Sequence, residues 1–305
     1  MLTFVESPKF SSWKELYDWN LKSFRTDATS ALWVFRGQSN AEWQLKTSLE
    51  REFDAAKVPI GERGFLEEGL IRDFQRRLPA VAEQFRGPQE DNVLAWLALM
   101  QHHGAPTRLL DWTYSFFVAL FFAVESTDRD AAVYAIECRW CNKQSRSRLP
   151  NRDDAEQKIA NDPYFTKSAT FQSLFARDPE IALVHRINPF VLNPRLSVQQ
   201  GLFLCPGSVS TSFEENLFAL QPGIADRSIE TQIQKLIIPS EIQRDVLREL
   251  SYMNINRQSL FPGIDGLAQS MRQAIRRPES LIPNWRRKRQ TKPFVGWASI
   301  NDTKG

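Results

Sequence analysis

The chain has 305 residues and a mass of 35.2 kDa, and 42% of its residues are hydrophobic, 25% charged and 11% aromatic. This composition excludes a disordered or fibrous chain and predicts a globular protein with a sizeable apolar core. The net charge of +3 is too small to indicate an acidic partner by itself, and without a signal-peptide pattern or a run of about 18 apolar residues we expect a soluble, cytoplasmic protein with no membrane role.

The first half of the chain alternates predicted helices and strands. An N-terminal helical segment is predicted over 1–28. Two short runs rich in branched and aromatic residues, 31–37 and 131–138, predict strands. Between them, apolar residues three and four positions apart predict helices over 62–78 and 92–104. This alternation is typical of a sheet covered by helices.

The remaining pattern completes an α+β fold. Residues 115–126 are apolar on nearly all sides, which predicts a buried helix. A further helix is predicted over 240–255, with Ser240 as its cap. Additional strands are predicted over 181–189, 201–208 and 233–239. We therefore expect a mixed sheet with at least one helix packed inside it or tightly against it.

Two segments differ in composition from the rest. Residues 141–180 are polar and charged, which is typical of an insertion or a mobile surface segment. The C-terminal tail, 276–305, belongs to a basic region with eight basic residues and one acid between Arg272 and Lys292. Such a tail favours nucleic acid, although an acidic partner protein or simple solvation would also explain it. The candidate contact residues are Trp285, Arg286, Arg287, Lys288 and Arg289.

Metal centres and the commonest enzyme motifs find no support in the sequence. Cys138 and Cys141 form a C-x-x-C pair, but no second pair follows. Neighbouring His102 and His103 cannot share one ion from a regular helix, so no metal is expected. The chain also lacks the G-x-S-x-G, G-x-x-x-x-G-K-[ST] and G-x-G-x-x-G patterns, which excludes the most frequent hydrolase and nucleotide sites.

Two local patterns carry candidate chemistry. Arg36 and Gly37 end a predicted strand, where an arginine can clamp phosphate and a glycine lets a ligand approach the backbone. Residues 101–123 place His, Arg, Asp, Thr and Trp in a short loop before the buried helix. Asp111 in this loop is a candidate acid. It could equally cap the helix near Ser115 or pair with Arg108.

A family resemblance follows from the order of these motifs. They are Phe35-Arg36-Gly37-Gln38, Trp43-x-Leu45, Thr47-x-Leu49-x-Arg51, Gln101-His102-x-Gly104-x-Pro106-Thr107-Arg108-Leu109-Leu110-Asp111-Trp112-Thr113, Arg195-x-x-x-Gln199-x-Gly201-x-Phe203 and Leu260-Phe261-Pro262-Gly263-x-Asp265-Gly266. The series resembles the FRG domain over about 29–275. FRG domains in turn resemble distant members of the ADP-ribosyltransferase superfamily, which implies a split mixed β-sheet that holds NAD.

The resemblance also implies roles for individual residues. Arg36 would clamp phosphate or ribose, Gly37 would bond nicotinamide, and Gln199 would hold a ribose hydroxyl. The implied cofactor-binding residues are Arg36, Gly37, Gln38, Thr107, Arg108 and Trp112. The implied catalytic residues are Arg36, Asp111, Thr113 and Gln199. Because Gln199 is neutral, Asp111 is the first candidate general base, and His102 or His103 is the next.

The function implied is NAD-dependent transfer of ADP-ribose to a macromolecule. The basic tail favours RNA or DNA as the acceptor, with protein next. Bacterial enzymes of this kind often act as toxins or phage-defence effectors, and a toxin would need an antitoxin partner. The alternative is an inactive FRG module that recognises a nucleotide, a nucleic acid or a partner protein, and the neutral Gln199 favours that alternative.

Overall fold

The computed structural model describes residues 4–24, 32–82, 84, 87–176, 180–191, 193–221 and 232–276. The chain divides into two compact units, Met1–Ile255 and Asn256–Gly305. The five candidate contact residues of the basic tail lie outside the described residues. Within the described part of the chain, no helix has the length and apolar character needed to cross a bilayer.

A mixed sheet forms the centre of the first unit. Its described strands are β1 (Val5–Glu6), β2 (Trp33–Gln38), β3 (Leu110–Thr113), β4 (Ala131–Glu137), β5 (Val184–Ile187), β6 (Gly201–Pro206) and β7 (Ile233–Ile238). Their order across the sheet is β1-β7-β4-β2-β3-β6-β5. β1 is parallel to β7, and the other neighbours are antiparallel. The α+β class, the mixed sheet and the five predicted strands are confirmed.

Helices surround this sheet. Those described in the first unit are α1 (Trp13–Phe24), α2 (Ser48–Ala55), α3 (Arg63–Val81), α4 (Val93–His102), α5 (Phe116–Val124), α6 (Cys138–Ser147), α7 (Arg152–Asn161), α8 (Ser168–Phe175), α9 (Pro194–Val198), α10 (Phe213–Phe218) and α11 (Gln243–Tyr252). In the second unit, α12 (Arg257–Leu260) precedes α13 (Ile264–Arg276). The helices predicted over 62–78, 92–104, 115–126 and 240–255 are confirmed as α3, α4, α5 and α11.

The apolar helix α5 packs against the centre of the sheet. Ser115 caps its first turn by accepting a hydrogen bond from the Val118 amide. Along the helix nearly every side chain is buried, as the apolar pattern predicted. Phe116 lies edge-on against Phe35 of β2, with ring centroids 5.5 Å apart. These contacts fix α5 to the strand that carries the predicted Arg36-Gly37 motif.

Of the two alternatives for residues 141–180, the mobile surface segment is wrong, and the insertion stays a prediction. Most of this segment forms α6, α7 and α8, and each helix buries one apolar side against the core. Cys141, Ile159 and Leu174 are among the buried residues. The many charged residues lie on the outer sides of short amphipathic helices, and they hid the apolar spacing in the sequence.

Two smaller predictions are also corrected. Ser240 does not cap a helix with its side chain, because the chain first makes a single 3-10 turn over Ser240–Ile242 before α11 begins. The Ser240 amide donates instead to the Asp130 carboxylate over 3.0 Å. Residues 110–113 belong to β3 although no strand was predicted there. A four-residue strand that alternates with Asp and Thr is too short to show in the apolar pattern.

A buried ion pair joins four elements on one side of the sheet. Arg108, in the loop before β3, pairs with Glu67 of α3, and both residues are only 4% exposed. The Arg108 guanidinium also donates to the carbonyls of Phe175 in α8 and Pro206 in β6. Burial alone would lower the pKa of Arg108, but the Glu67 carboxylate more than compensates, so the pKa is raised.

This ion pair gives a first prediction. Glu67→Ala leaves the Arg108 guanidinium buried without its counter-ion, so we expect the free energy of unfolding to fall by about 3–5 kcal/mol. Its neighbour Glu68 forms an exposed pair with Arg72, and Glu68→Ala should change the free energy by less than about 0.5 kcal/mol. Urea denaturation of both variants measures the difference. Equal losses would contradict the role of the buried pair.

Candidate functional site

A pocket opens where β2 and β3 part. β2 pairs with β4 along its whole length, from Trp33 to Gln38. In contrast, one residue pair, Phe35 with Thr113, joins β2 to β3 in the described structure, and the pairing does not continue to Gly37 and Asp111. A cavity of about 990 Å³ lies at this point, bounded also by the loop after β2 and by α9. The size suits a ligand with several chemical groups.

The pocket brings together seven of the predicted site residues. They are Arg36, Gly37, Gln38, Asp111, Trp112, Thr113 and Gln199. These residues come from three separate stretches of sequence, and the antiparallel sheet places those stretches side by side. Two further predicted residues, Thr107 and Arg108, do not line the pocket.

The Arg36 side chain is a partly buried cation of the pocket lining. Its Nη1 donates to the Asp111 carbonyl over 2.6 Å. Its Nε is buried and has no hydrogen-bond partner among the described residues. Burial lowers the pKa of Arg36, the Asp111 charge opposes this shift, and neighbouring Arg51 adds to it. A buried donor without an acceptor costs free energy, and an anionic ligand would remove that cost.

The charged lining of the pocket is predominantly positive. Its basic residues are Arg36, Lys46, Arg51 and Arg195, and its acids are Glu42 and Asp111. Lys46 is already paired with Asp54 over 2.7 Å. Arg51 donates to the Lys46 carbonyl over 2.8 Å, and no carboxylate of the described residues forms an ion pair with it. The pocket can therefore hold a phosphate group between Arg36 and Arg51.

Aromatic side chains form other parts of the lining. Trp112 is 3% exposed, and its indole Nε1 has no hydrogen-bond partner in the described part of the chain. Phe35 and Phe122 also line the pocket, and Trp43 lies there with a largely exposed side chain. A lining that combines aromatic surface with cationic groups is suited to ligands that carry both a flat ring and a phosphate.

The Thr113 hydroxyl is occupied by protein groups. It donates to the Gln199 carbonyl over 2.7 Å and accepts from the Ser115 amide over 3.0 Å. Thr113 thus links β3 to the end of α9 and to the start of α5. The hydroxyl thus holds the backbone of Gln199, another predicted site residue, at the pocket wall.

Gln38 and Gly37 also have structural roles beside the pocket. The Gln38 amide donates to the Trp43 carbonyl over 2.8 Å, so it holds the loop after β2. A Cβ on Gly37 would lie 1.9 Å from the Ala119 carbonyl oxygen of α5. The close approach of this helix backbone therefore requires a glycine at position 37, and the contact of Gly37 with a ligand stays a prediction.

The cofactor-binding role predicted for Thr107 and Arg108 is corrected. Thr107 is fully buried, and its hydroxyl donates to the Gln101 side chain and accepts from the Leu109 amide. Arg108 is held by Glu67 and by two carbonyls, as described above. Since the polar groups of both residues are engaged inside the protein, neither presents a donor to a ligand.

The alternatives for Asp111 and the histidines are resolved in part. Asp111 does not cap α5, since Ser115 does so, and it does not pair with Arg108. Its side chain is exposed at the pocket. His102 and His103 are exposed and lie outside the pocket lining. Burial, His103 and Arg195 together lower the pKa of His102.

Several pocket residues had no role in the sequence analysis. They are Glu42, Trp43, Gln44, Lys46, Arg51 and Arg195. Three of them, Trp43, Arg51 and Arg195, belong to the motif series quoted above, and that membership was the available signal. Lys46 and Glu42 gave no signal, because a charged residue in a polar loop is usually just solvated.

The described cysteines and acids do not form a metal centre. In the ranges that the structure describes, no group of three or more His, Cys, Asp or Glu residues lies close enough to hold an ion. Cys138 and Cys141 are buried in the first half of α6. Burial raises the pKa of the Cys138 thiol to about 12. These thiols are therefore protonated packing groups.

Comparison with known proteins supports part of the resemblance. The model of the FRG domain matches residues 31–132, which contain β2, β3, α5 and most of the pocket lining. The resemblance to this domain is thus confirmed for that segment. No curated protein and no solved structure matches the chain.

The contact between Gly37 and α5 gives a second prediction. Gly37→Ala forces a methyl group against the Ala119 carbonyl, so we expect the free energy of unfolding to fall by about 1–3 kcal/mol or more. Gly69, within α3, has open space around its Cα, and Gly69→Ala should raise the free energy by about 0.5–1 kcal/mol. Thermal and urea denaturation compare the two variants. Unchanged stability of Gly37→Ala would contradict the packing role.

Proposed function

We propose that this pocket binds NAD and that the protein transfers its ADP-ribose group to a macromolecule. The observation that carries the proposal is the partly buried Arg36 guanidinium, whose buried Nε has no acceptor among the described residues and whose charge is repelled by that of Arg51. Two neighbouring arginines in one pocket repel each other, and the pyrophosphate of a dinucleotide would neutralise both.

Size and lining support a dinucleotide. A cavity of about 990 Å³ is at the upper end of the usual range for small-molecule sites. The aromatic lining offers surface for the two flat rings, and the cationic groups offer sites for the two phosphates. The parting of β2 and β3 also resembles the split sheet that the resemblance to ADP-ribosyltransferases implies.

The chemistry follows from the leaving group. The bond between C1′ of the nicotinamide ribose and the ring nitrogen breaks, and neutral nicotinamide leaves with the bonding electrons. A nucleophilic atom of the acceptor forms the new bond to C1′ and loses its proton. The transition state has cationic ribose character, which the pocket can stabilise only through groups fixed in advance. Arg36 would hold the pyrophosphate, and Gln199 would hold a ribose hydroxyl.

Asp111 is the group proposed to take the proton of the acceptor. Its backbone is fixed by the hydrogen bond from Arg36, while its carboxylate is exposed at the pocket. An exposed carboxylate is accessible to a large acceptor. Glu42 is the other carboxylate of the lining, and it lies on the loop after β2.

The acceptor class is proposed from the sequence of the tail. Its arginines and lysines favour RNA or DNA, because neutralising phosphates releases counter-ions. Protein is the next acceptor. Such an activity is compatible with a bacterial toxin or a phage-defence effector, which would require an antitoxin to cover the pocket.

A specific observation favours a second candidate, a binding module without turnover. Gln199 is neutral, and the Thr113 hydroxyl is already bonded to protein groups. A module of this kind would bind the nucleotide and release no nicotinamide. The two candidates therefore differ in one measurable product, free nicotinamide.

A transfer assay provides the third prediction. The full-length protein is incubated with NAD labelled in the adenylate part, together with total RNA, DNA or cell lysate. We expect label on one fraction and release of nicotinamide, both reduced at least about 100-fold in Arg36→Ala because the phosphate contact is lost. Arg72→Ala, which removes an exposed arginine of α3 outside the pocket, should retain full activity.

The outcomes of this assay separate the candidates. Binding of NAD without release of nicotinamide would overturn the transferase and support the module. Full turnover in Arg36→Ala would overturn the phosphate role of Arg36. Because Arg36 also bonds the Asp111 carbonyl, Arg36→Lys is tested beside it, and thermal denaturation shows whether each variant is folded.

The two carboxylates of the lining give the fourth prediction. Asp111→Asn removes the proposed base but not the shape of the side chain, so kcat should fall by about 10²–10⁴-fold while the affinity for NAD changes little. Glu42→Gln makes the same chemical change at the other carboxylate and should leave kcat close to that of the wild type. A larger loss for Glu42→Gln would assign the base to Glu42.

A further inference from the structure

The Trp43 side chain is exposed to solvent, although its burial would stabilise the protein more. Its side chain is 57% exposed, although it lines the pocket. An indole is among the side chains that gain most from burial. A tryptophan left in contact with water at the edge of a pocket therefore has surface available for a ligand.

The backbone of Trp43 is held rigidly from the sheet. Its carbonyl accepts hydrogen bonds from Gln38 Nε2 over 2.8 Å and from the Tyr134 hydroxyl over 3.0 Å. Its amide donates to the Asn40 carbonyl over 3.2 Å. Two side chains from neighbouring strands, β2 and β4, thus converge on one carbonyl, and they fix the point from which the indole projects.

The residues on either side of Trp43 are also anchored. The Ala41 amide donates to the Asp130 carbonyl over 2.8 Å. The Leu45 amide donates to the Glu214 carboxylate over 2.8 Å, and the Leu45 side chain is fully buried. The loop is thus tied to the protein before and after the tryptophan. Ligand contacts made by such a loop lose little conformational entropy.

We infer that the Trp43 indole stacks on the adenine ring of the bound nucleotide and makes the pocket select base-containing ligands. The inference rests on the proposed function of the pocket as a phosphate site. With the pyrophosphate between Arg36 and Arg51, the pocket has separate places for two rings. Trp43 lines the same pocket as Arg36 and Arg51, so a ring joined to the pyrophosphate can reach the indole.

The assignment to adenine follows from solvent exposure. The nicotinamide ribose reacts, and a reacting centre is best shielded from water. The enclosed part of the lining beside Phe35, Ala119 and Phe122 suits that end of the molecule. Adenine takes no part in bond breaking, so it can lie against a half-exposed indole. Stacking on an aromatic side chain needs only a flat ring face, which adenine provides.

The test compares two ligands that share a pyrophosphate. ADP-ribose carries adenine, and inorganic pyrophosphate has no base. Each is titrated by calorimetry into the full-length wild type, Trp43→Ala, Trp43→Phe and Phe65→Ala. Phe65 is the matched control, since it is an aromatic residue that is 75% exposed on α3 and does not line the pocket.

We expect Trp43→Ala to weaken ADP-ribose about 5- to 150-fold, the effect of losing one base–aromatic stack. Its affinity for pyrophosphate should equal that of the wild type. Trp43→Phe should retain most of the ADP-ribose affinity, and Phe65→Ala should retain all of it. Because the Trp43 side chain is exposed, none of these variants should lose thermal stability.

Other outcomes overturn the inference. Unchanged ADP-ribose affinity in Trp43→Ala would show that the indole does not contact the base, while pyrophosphate binding would leave the phosphate site standing. Equal weakening of both ligands would show that Trp43 acts on the phosphate site and not on the base. If the wild type binds neither ligand, the proposed function fails, and the inference fails with it.

Discussion

The parting of β2 and β3 after a single residue pair is the constraint on which the site depends. Neighbouring strands of a sheet lie only about 4.7–4.9 Å apart, which leaves no room for a ligand between them. Here the Asp111 carbonyl, beyond the last pair, accepts its hydrogen bond from the Arg36 side chain. A side chain thus takes the position that a backbone donor of the next strand would otherwise fill, and the pocket begins there.

Both ends of β3 are fixed independently of that opening. Before the strand, Arg108 is held by the buried Glu67 and by two carbonyls. After it, the Thr113 hydroxyl bonds the end of α9 and the start of α5. These bonds hold both ends of β3 in place, so the strand stays fixed although the space between β2 and β3 is open. Arg108 and Thr113, two polar residues of the segment 101–123, therefore have structural roles.

Helices and strands were predicted well where the apolar pattern extends over many residues. They were predicted less well where the pattern is short or interrupted by charged residues. α3, α4 and α5 follow from their spacing, whereas β3 has four residues and α6 to α8 carry many charges. The site was predictable in part. Arg36 and Arg108 both stand beside apolar residues, and only the fold shows that Arg108 meets Glu67, 41 positions away in the chain. Contacts of this range leave no local pattern.

The pocket lining has a positive charge that is fixed in place, on Arg36, and a negative charge that is accessible to solvent, on Asp111. Arg36 is partly buried, and its guanidinium is bonded to the backbone of β3, which fixes its position. The Asp111 carboxylate is exposed, although its own carbonyl is what Arg36 holds. One residue of β3 therefore connects the cation proposed to bind phosphate with the acid proposed to accept a proton. A neutral Gln199 does not exclude transfer in such a site. Stabilising a cationic ribose requires a fixed dipole, and deprotonating an acceptor requires a base, and two different residues can supply them.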